Sequence, residues 1–177
     1  AIFHTFGDPE FYLETLAKTI KGITRTGIRA LIILAITDQF EFLPSYFNQN
    51  FPLPPFIDAG PRLEPRTFIE IFKEATRKHP HVAFGVGPVA PQWCSDRMMD
   101  AIGEIADSGC RIHTHFLESV RQRNWIDENP VARLSRFGLL NERTSLAHAV
   151  WTNDSELEEI ERNGAQLVAC PRSNKVL

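Results

Sequence analysis

Apolar residues recur at helical spacing through Leu13, Leu16, Ala17, Ile20 and Ile23, the stripe of a helix with one covered face. Asp8-Pro9-Glu10 supplies its start: a side-chain cap, a proline in the first turn and an acid favoured by the helix dipole. Gly27 is placed to close it in the left-handed conformation. Residues 29–36 follow as a near-continuous apolar run, the pattern of a parallel strand covered on both faces. The same grammar then repeats. Residues 67–78 predict a helix with Phe68, Ile71, Phe72 and Ala75 on one face, and 81–86 a short strand. Ser95 caps a helix carrying Met98, Met99, Ile102, Ile105 and Ala106 that ends at Gly109, and 110–116 is the next strand. Two shorter helices, 118–125 and 130–137, precede a strand over 144–150; Gly138 closes the second. Asn153 or Asp154 caps a helix through Leu157 and Ile160 that Gly164 closes, and 166–170 is the last strand. In the long loop over 39–64, Pro44, Pro52, Pro54, Pro55 and Pro61 exclude regular helix. Its Phe and Tyr residues argue that it packs down.

Helix and strand thus alternate five times. Alternation of this kind implies right-handed crossovers and a parallel sheet, open or closed into a barrel. No G-x-G-x-x-G or phosphate-binding G-x-x-x-x-G-K-[ST] follows any strand, and there is no internal repeat or low-complexity tract. The chain has 177 residues, 43% hydrophobic and 23% charged, which suits one globular domain with its own core. A formal net charge of −3 leaves no basic surplus for a phosphate backbone, so nucleic acid is not an expected partner. No apolar run approaches the roughly 18–20 residues of a membrane span, and no secretion signal opens the chain. Cys94, Cys110 and Cys170 are odd in number, widely spaced and without C-x-x-C, so a disulfide framework is not expected and a reduced, cytoplasmic setting is. The chain opens at Ala1 without an initiator Met and stops after a strand-like segment; either end is expected to be a cut.

The polar residues that interrupt this pattern gather at the carboxyl ends of the strands, where parallel α/β folds carry their sites. They are Thr37-Asp38, the 88–93 segment, His113 to Glu118, His148 to Trp151, and Pro171 to Asn174. His115 and Glu118 form the strongest local pair. Neutral imidazole is a common zinc ligand, and a nearby carboxylate can carry protons for an activated water. The alternative is a hydrogen-bonded strand-end histidine and an acid that favours a helix start. His113 shares a strand face with His115 by the period of two; a supporting or core role is expected for it. His148 lies in an apolar run, where burial without a partner costs about 1–3 kcal/mol. A satisfied core histidine is the alternative there. Neighbouring strands lie about 4.8 Å apart, so the His115 and His148 rings could reach one ion or one water. Gln92, Trp93 and Trp151 sit at strand mouths as candidates for substrate contact; for the two tryptophans, pocket lining and simple packing weigh equally. His4, His79 and His81 fall at the opposite end and read as surface residues. Glu156, Glu158, Glu159 and Glu161 read as one solvated helix face. Ser119 and Ser173 lack a nucleophile's spacing, and Cys94 lacks an adjacent base.

His115-Phe-Leu-Glu118, then Leu146-Ala-His148-Ala-Val, then Cys170-Pro-Arg-Ser-Asn174, with Pro91-Gln-Trp-Cys94-Ser-Asp96 upstream, resemble in order and spacing the middle of the amidohydrolase superfamily. The nearest branch is the cytosine deaminase, guanine deaminase and chlorohydrolase-like group, and the resemblance runs from about residue 27 to 176. It implies an α/β fold: part of a (β/α)₈ TIM barrel with about five parallel strands, barrel strands three to seven, in one partial domain over 1–177. It also implies one divalent metal, zinc first and iron second, that activates water for attack on a ring carbon. The reaction implied is removal of an amino group, or less often chloride, from a small nitrogen heterocycle. By resemblance His115 matches the metal-binding histidine, and Glu118 the glutamate that moves a proton and holds the ring. His148 matches the histidine that orients the activated water, or that binds a second ion in two-metal relatives. Asn174 matches an asparagine with a structural role.

The departures shape the expectation further. No His-x-His lies upstream of His113, and no late strand-end Asp is present. Val89 stands where guanine deaminases place an Arg and where methylthioadenosine deaminases place a His, which argues against both substrates. Ser-Asn-Lys-Val replaces the more usual Ser-Asn-Leu-Lys. The 177-residue chain alone is therefore expected to be inactive and to bind metal weakly, with exposed apolar edges that invite association, as in a homo-oligomer. Two other readings stand beside this one. The first is a non-catalytic amidohydrolase-like protein that has lost its ligands. The second is a parallel α/β hydrolase that uses Cys94 or a serine without metal.

Overall fold

A computed structural model describes residues 2–3, 9–39, 63–124 and 128–175. Its strands are β1 (Ile2–Phe3), β2 (Leu31–Ile36), β3 (Ala83–Pro88), β4 (Arg111–Phe116), β5 (Thr144–His148) and β6 (Gln166–Val168). They form one sheet in chain order, each neighbouring pair parallel. The helices are α1 (Pro9–Thr26), α2 (Pro65–Lys78), α3 (Asp96–Ala106), α4 (Val120–Arg123), α5 (Pro130–Arg136), α6 (Asp154–Arg162) and α7 (Pro171–Asn174). A sheet that keeps chain order through successive crossovers is an arc of barrel wall. β1 adds a strand to the five read from periodicity; two residues are too few for a period to show.

The strand faces divide as parallel pleating requires. On β2, Ile32, Leu34 and Ile36 join Phe68, Phe72, Met98 and Ile102 in the core beneath the helices. Ile33 and Ala35 are buried on the other face, which accounts for the unbroken apolar run. β4 alternates: Ile112, Thr114 and Phe116 are buried, while His113 and His115 are half-buried on the opposite face. Each fully buried Leu, Ile or Met contributes roughly 1.5–3 kcal/mol. Gly27 closes α1 with φ of 71°, as its position predicts. Gly87 serves close packing instead. A Cβ there would run into the His113 carbonyl, so the bare backbone lets β3 and β4 approach.

Some boundaries move. The strand expected over 81–86 starts at Ala83, because Val82 N–H donates to His79 O in a turn. The strand expected over 144–150 stops at His148, where φ reaches 76°. The helix expected over 118–125 contracts to α4, capped by Ser119; Trp125 lies outside the described residues. So do His4, Asp8 and residues 40–62 of the long loop. Among the described residues no helix is long and apolar enough to cross a membrane.

Candidate active site

The carboxyl ends of β4 and β5 bring two imidazole rings and one carboxylate together. His115 Nδ1 lies 2.8 Å from the Val89 carbonyl. That oxygen can only accept, so Nδ1 carries the hydrogen and Nε2 presents its lone pair. The same carbonyl accepts from His115 N–H at 3.1 Å. His148 pairs with Phe116 in register, and strict alternation would send its side chain to the helix-covered face with Phe116. The left-handed backbone at His148 and at Ala149 (φ 52°) re-aims it. Its ring stacks on His115 with centroids 5.6 Å apart and planes 29° apart. Nδ1 lies 2.7 Å from Asn174 Oδ1 and Nε2 lies 3.2 Å from Glu118 Oε2, so two oxygens fix the ring.

Glu118 is held in turn. Its Oε1 accepts from Gln122 Nε2 at 2.6 Å, and its N–H donates to Gln122 Oε1 at 3.0 Å. Gln122 sits on α4, which Arg123 ties to α6: Arg123 Nη1 donates to Glu156 Oε1 at 2.7 Å. Glu156 is 1% exposed and forms a capping box with Asn153. The expectation of one solvated acidic face is therefore corrected at Glu156, whose carboxylate serves the helix start and the arginine. The Asn153-x-x-Glu156 spacing carries that signal in the sequence.

The segment after β3 is pinned from two sides. It contains one 3₁₀ turn (Pro91–Trp93). Thr37 Oγ1 donates to Trp93 O at 2.6 Å, and Asp38 accepts from Ser95 N at 2.7 Å and from Ser95 Oγ. From α5, Arg133 donates to Pro91 O at 3.3 Å, Cys94 O at 2.8 Å and Asp96 Oδ1 at 2.7 Å. The guanidinium hydrogen bond holds the Asp96 carboxyl below the usual carboxylate range. Gln92 is buried within this segment, and its Nε2 has no hydrogen-bond partner among the described residues.

The structure thus brings His115, Glu118 and His148 together and places Gln92 and half-buried Trp93 on the adjoining pinned segment. Trp151 lies beyond β5 and is 45% exposed. Cys94 is buried and its thiol donates to Ile36 O at 3.3 Å, a packing role that argues against the thiol-hydrolase reading. Ser119 caps α4, and Ser173 Oγ donates to Cys170 O at 3.2 Å. His113 Nδ1 lies 2.7 Å from Ser145 Oγ, whose own hydrogen goes to Ile112 O; burial and the neighbouring His115 and His148 lower its pKa. His113 lines a cavity of about 920 Å³ with α1 residues and the amino ends of β2, β4 and β5. That end is opposite the paired histidines. Nothing in the sequence pattern marks Gln122 or Arg133 as positioning residues, although Gln122 stands one helical turn from Glu118. Asn174, to which the resemblance gives a structural role, lies against the His148 ring.

His115, with Nδ1 occupied and Nε2 presented, fits one position of a metal shell. A catalytic zinc takes three protein ligands, and no group of three His, Cys, Asp or Glu among the described residues is arranged to hold an ion. These residues do not complete a shell by themselves.

The chain matches the amidohydrolase family over residues 3–177 and belongs to it. It is 32% identical over 177 residues to the 5-methylthioadenosine/S-adenosylhomocysteine deaminase of Aquifex aeolicus, covering 96% of this chain and 36% of that protein. Among solved structures it resembles Escherichia coli guanine deaminase, with TM-score 0.73 and 14% identity over 92% of this chain and 37% of that one. It also resembles the atrazine chlorohydrolase of Arthrobacter aurescens TC1 complexed with zinc, with TM-score 0.71 and 19% identity over 96% and 37%. These neighbours are TIM-barrel amidohydrolases, so the α/β barrel expectation holds. The family generally binds a divalent metal. The chain spans a little over a third of the length of the curated relatives that it matches over nearly all of its own length.

Proposed function

We propose that this chain carries the proton-transfer side of a hydrolytic deaminase that acts on a nitrogen heterocycle. The adenine ring of a 5′-modified nucleoside is the substrate class that the relatives' names suggest; against it stands Val89, in the place of the His of methylthioadenosine deaminases, so any grip on such a ring has to come from other residues. The observation that supports this reading best is Glu118 Oε2 facing His148 Nε2 beside the His115 ring. In the reaction, water adds to the ring carbon that bears the amino group, the C–N bond breaks, ammonia leaves and the carbon keeps the oxygen. Glu118 takes a proton from the attacking water and returns one to the ring or the leaving amine. His148, fixed through Asn174, would orient the attacking oxygen with its Nε2 once Glu118 Oε2 turns from that nitrogen to the water. His115 would hold a divalent ion through Nε2, zinc first and iron second, with further donors from beyond the described residues. When bound, that ion supplies Lewis acidity that lowers the pKa of water.

Val89 offers the substrate no polar grip: its side chain is buried and its carbonyl is committed to His115. Gln92 is the better candidate, because a buried Nε2 without a partner among the described residues gains most from a substrate acceptor. Trp93 would supply an apolar wall, and Trp151 an outer one.

The test is an ammonia-release assay on the full protein reconstituted with zinc or ferrous iron. The panel holds 5′-methylthioadenosine, 5′-deoxyadenosine, S-adenosylhomocysteine, adenosine, guanine and cytosine. At least one is expected to be deaminated, with chelator-sensitive turnover that Glu118→Gln lowers by roughly 10²–10⁴-fold. No ammonia from any of them, or turnover that survives Glu118→Gln, overturns the reading.

A further inference from the structure

We propose that Gln122 is a positioning residue that selects which oxygen of Glu118 handles the proton. The catalytic meaning rests on the proton-transfer role proposed above; the contact itself does not. Gln122 is 3% exposed. Its amide makes two contacts with one residue: Oε1 accepts the Glu118 backbone N–H at 3.0 Å, and Nε2 donates to Glu118 Oε1 at 2.6 Å. The first contact decides the second. A backbone N–H must meet an acceptor, so the amide oxygen has to face it, and flipping the amide would set donor against donor. With the oxygen committed, Nε2 has to point at the carboxylate.

The consequence falls on Glu118. Oε1 is held as the acceptor of an N–H, and a proton on it would compete with that bond. Oε2 faces His148 Nε2, so the proton that Glu118 carries sits on Oε2. An amide is uncharged across the working pH range, so it fixes the carboxyl without adding a charge to the site. The platform beneath it is built. Ser119 Oγ accepts Gln122 N–H, and the next residue, Arg123, is paired with buried Glu156. A four-residue helix is thereby held by its neighbours.

Two measurements on the full protein test this. In the first, Gln122→Met keeps the side-chain length and removes both hydrogen bonds. Its kcat is expected to fall by roughly 10- to 100-fold, with KM within about threefold and an intact thermal transition. In the second, side-chain ¹⁵N-glutamine labelling follows exchange of the Gln122 amide. Protection is expected in the parent and its loss in Glu118→Ala. An unchanged kcat in folded Gln122→Met overturns the proposal. An exposed, fast-exchanging Gln122 amide in the parent overturns it too, even if Gln122→Met fails to fold. If the parent deaminates nothing yet shows a protected amide that Glu118→Ala exposes, the deaminase reading fails and the positioning contact stands.

Discussion

At His148 and Ala149, φ values of 76° and 52° bring Cβ against the following carbonyl, at roughly 1–2 kcal/mol per residue. At His148 the strain has a local use, since it turns the imidazole from the helix-covered face toward His115. Ala149 has no such use: its N–H donates to Phe116 O at 2.8 Å, and glycine could make the same bond. Ala149→Gly is therefore expected to stabilise the fold by about 1 kcal/mol, read as a higher urea midpoint at unchanged slope. A lower midpoint would show that the neighbours relieve the strain. His115, Glu118 and His148 stand out in the sequence because each interrupts an apolar strand or follows one. The contacts of Asn174 and Gln122 do not, because their value lies in which atom they touch, and pattern carries no such information. Glu156 is hidden among four acids in six residues, where composition outweighs a single capping position.

Arg133 links elements that are far apart in the chain. On α5, it carries the Pro91 and Cys94 carbonyls and the Asp96 carboxylate that opens α3. Arg133→Met keeps the aliphatic stem but leaves the two carbonyls without that donor, a loss of roughly 1–3 kcal/mol. The pH dependence has a definite sign. Asp96 is held below its ordinary pKa by Arg133, so its contribution is present above the usual carboxylate range and is lost as pH falls through the lowered value. Unfolding curves from pH 7 down to 3 are thus expected to show the parent's advantage over Arg133→Met narrowing in acid. A gap of constant size would place Asp96 outside the interaction. The elements themselves are largely legible in the sequence. Helix stripes closed by Gly27, Gly109 and Gly164 mark the crossovers, all three glycines having positive φ. Strand ends are less so: the stop at His148 comes from a backbone turn that apolar periodicity runs straight past.

At the scale of the molecule, the sheet of the described residues ends on β6, which is exposed at Gln166, Leu167 and Val168. An apolar edge of this kind templates pairing with another chain, so the 177-residue protein is expected to elute above monomer size on gel filtration. Metal affinity follows from the same geometry. Tight zinc binding needs three or four converging protein donors, and the described residues offer His115 Nε2 with His148 already committed to Asn174 and Glu118. After equilibration with zinc and dialysis into metal-free buffer, atomic emission should find the 177-residue chain substoichiometric. His115→Ala should then change little. A stoichiometric ion that survives dialysis in the parent and vanishes in His115→Ala would mean that donors outside the described residues, yet within this chain, already close the shell. The arc would then carry a complete metal centre of its own.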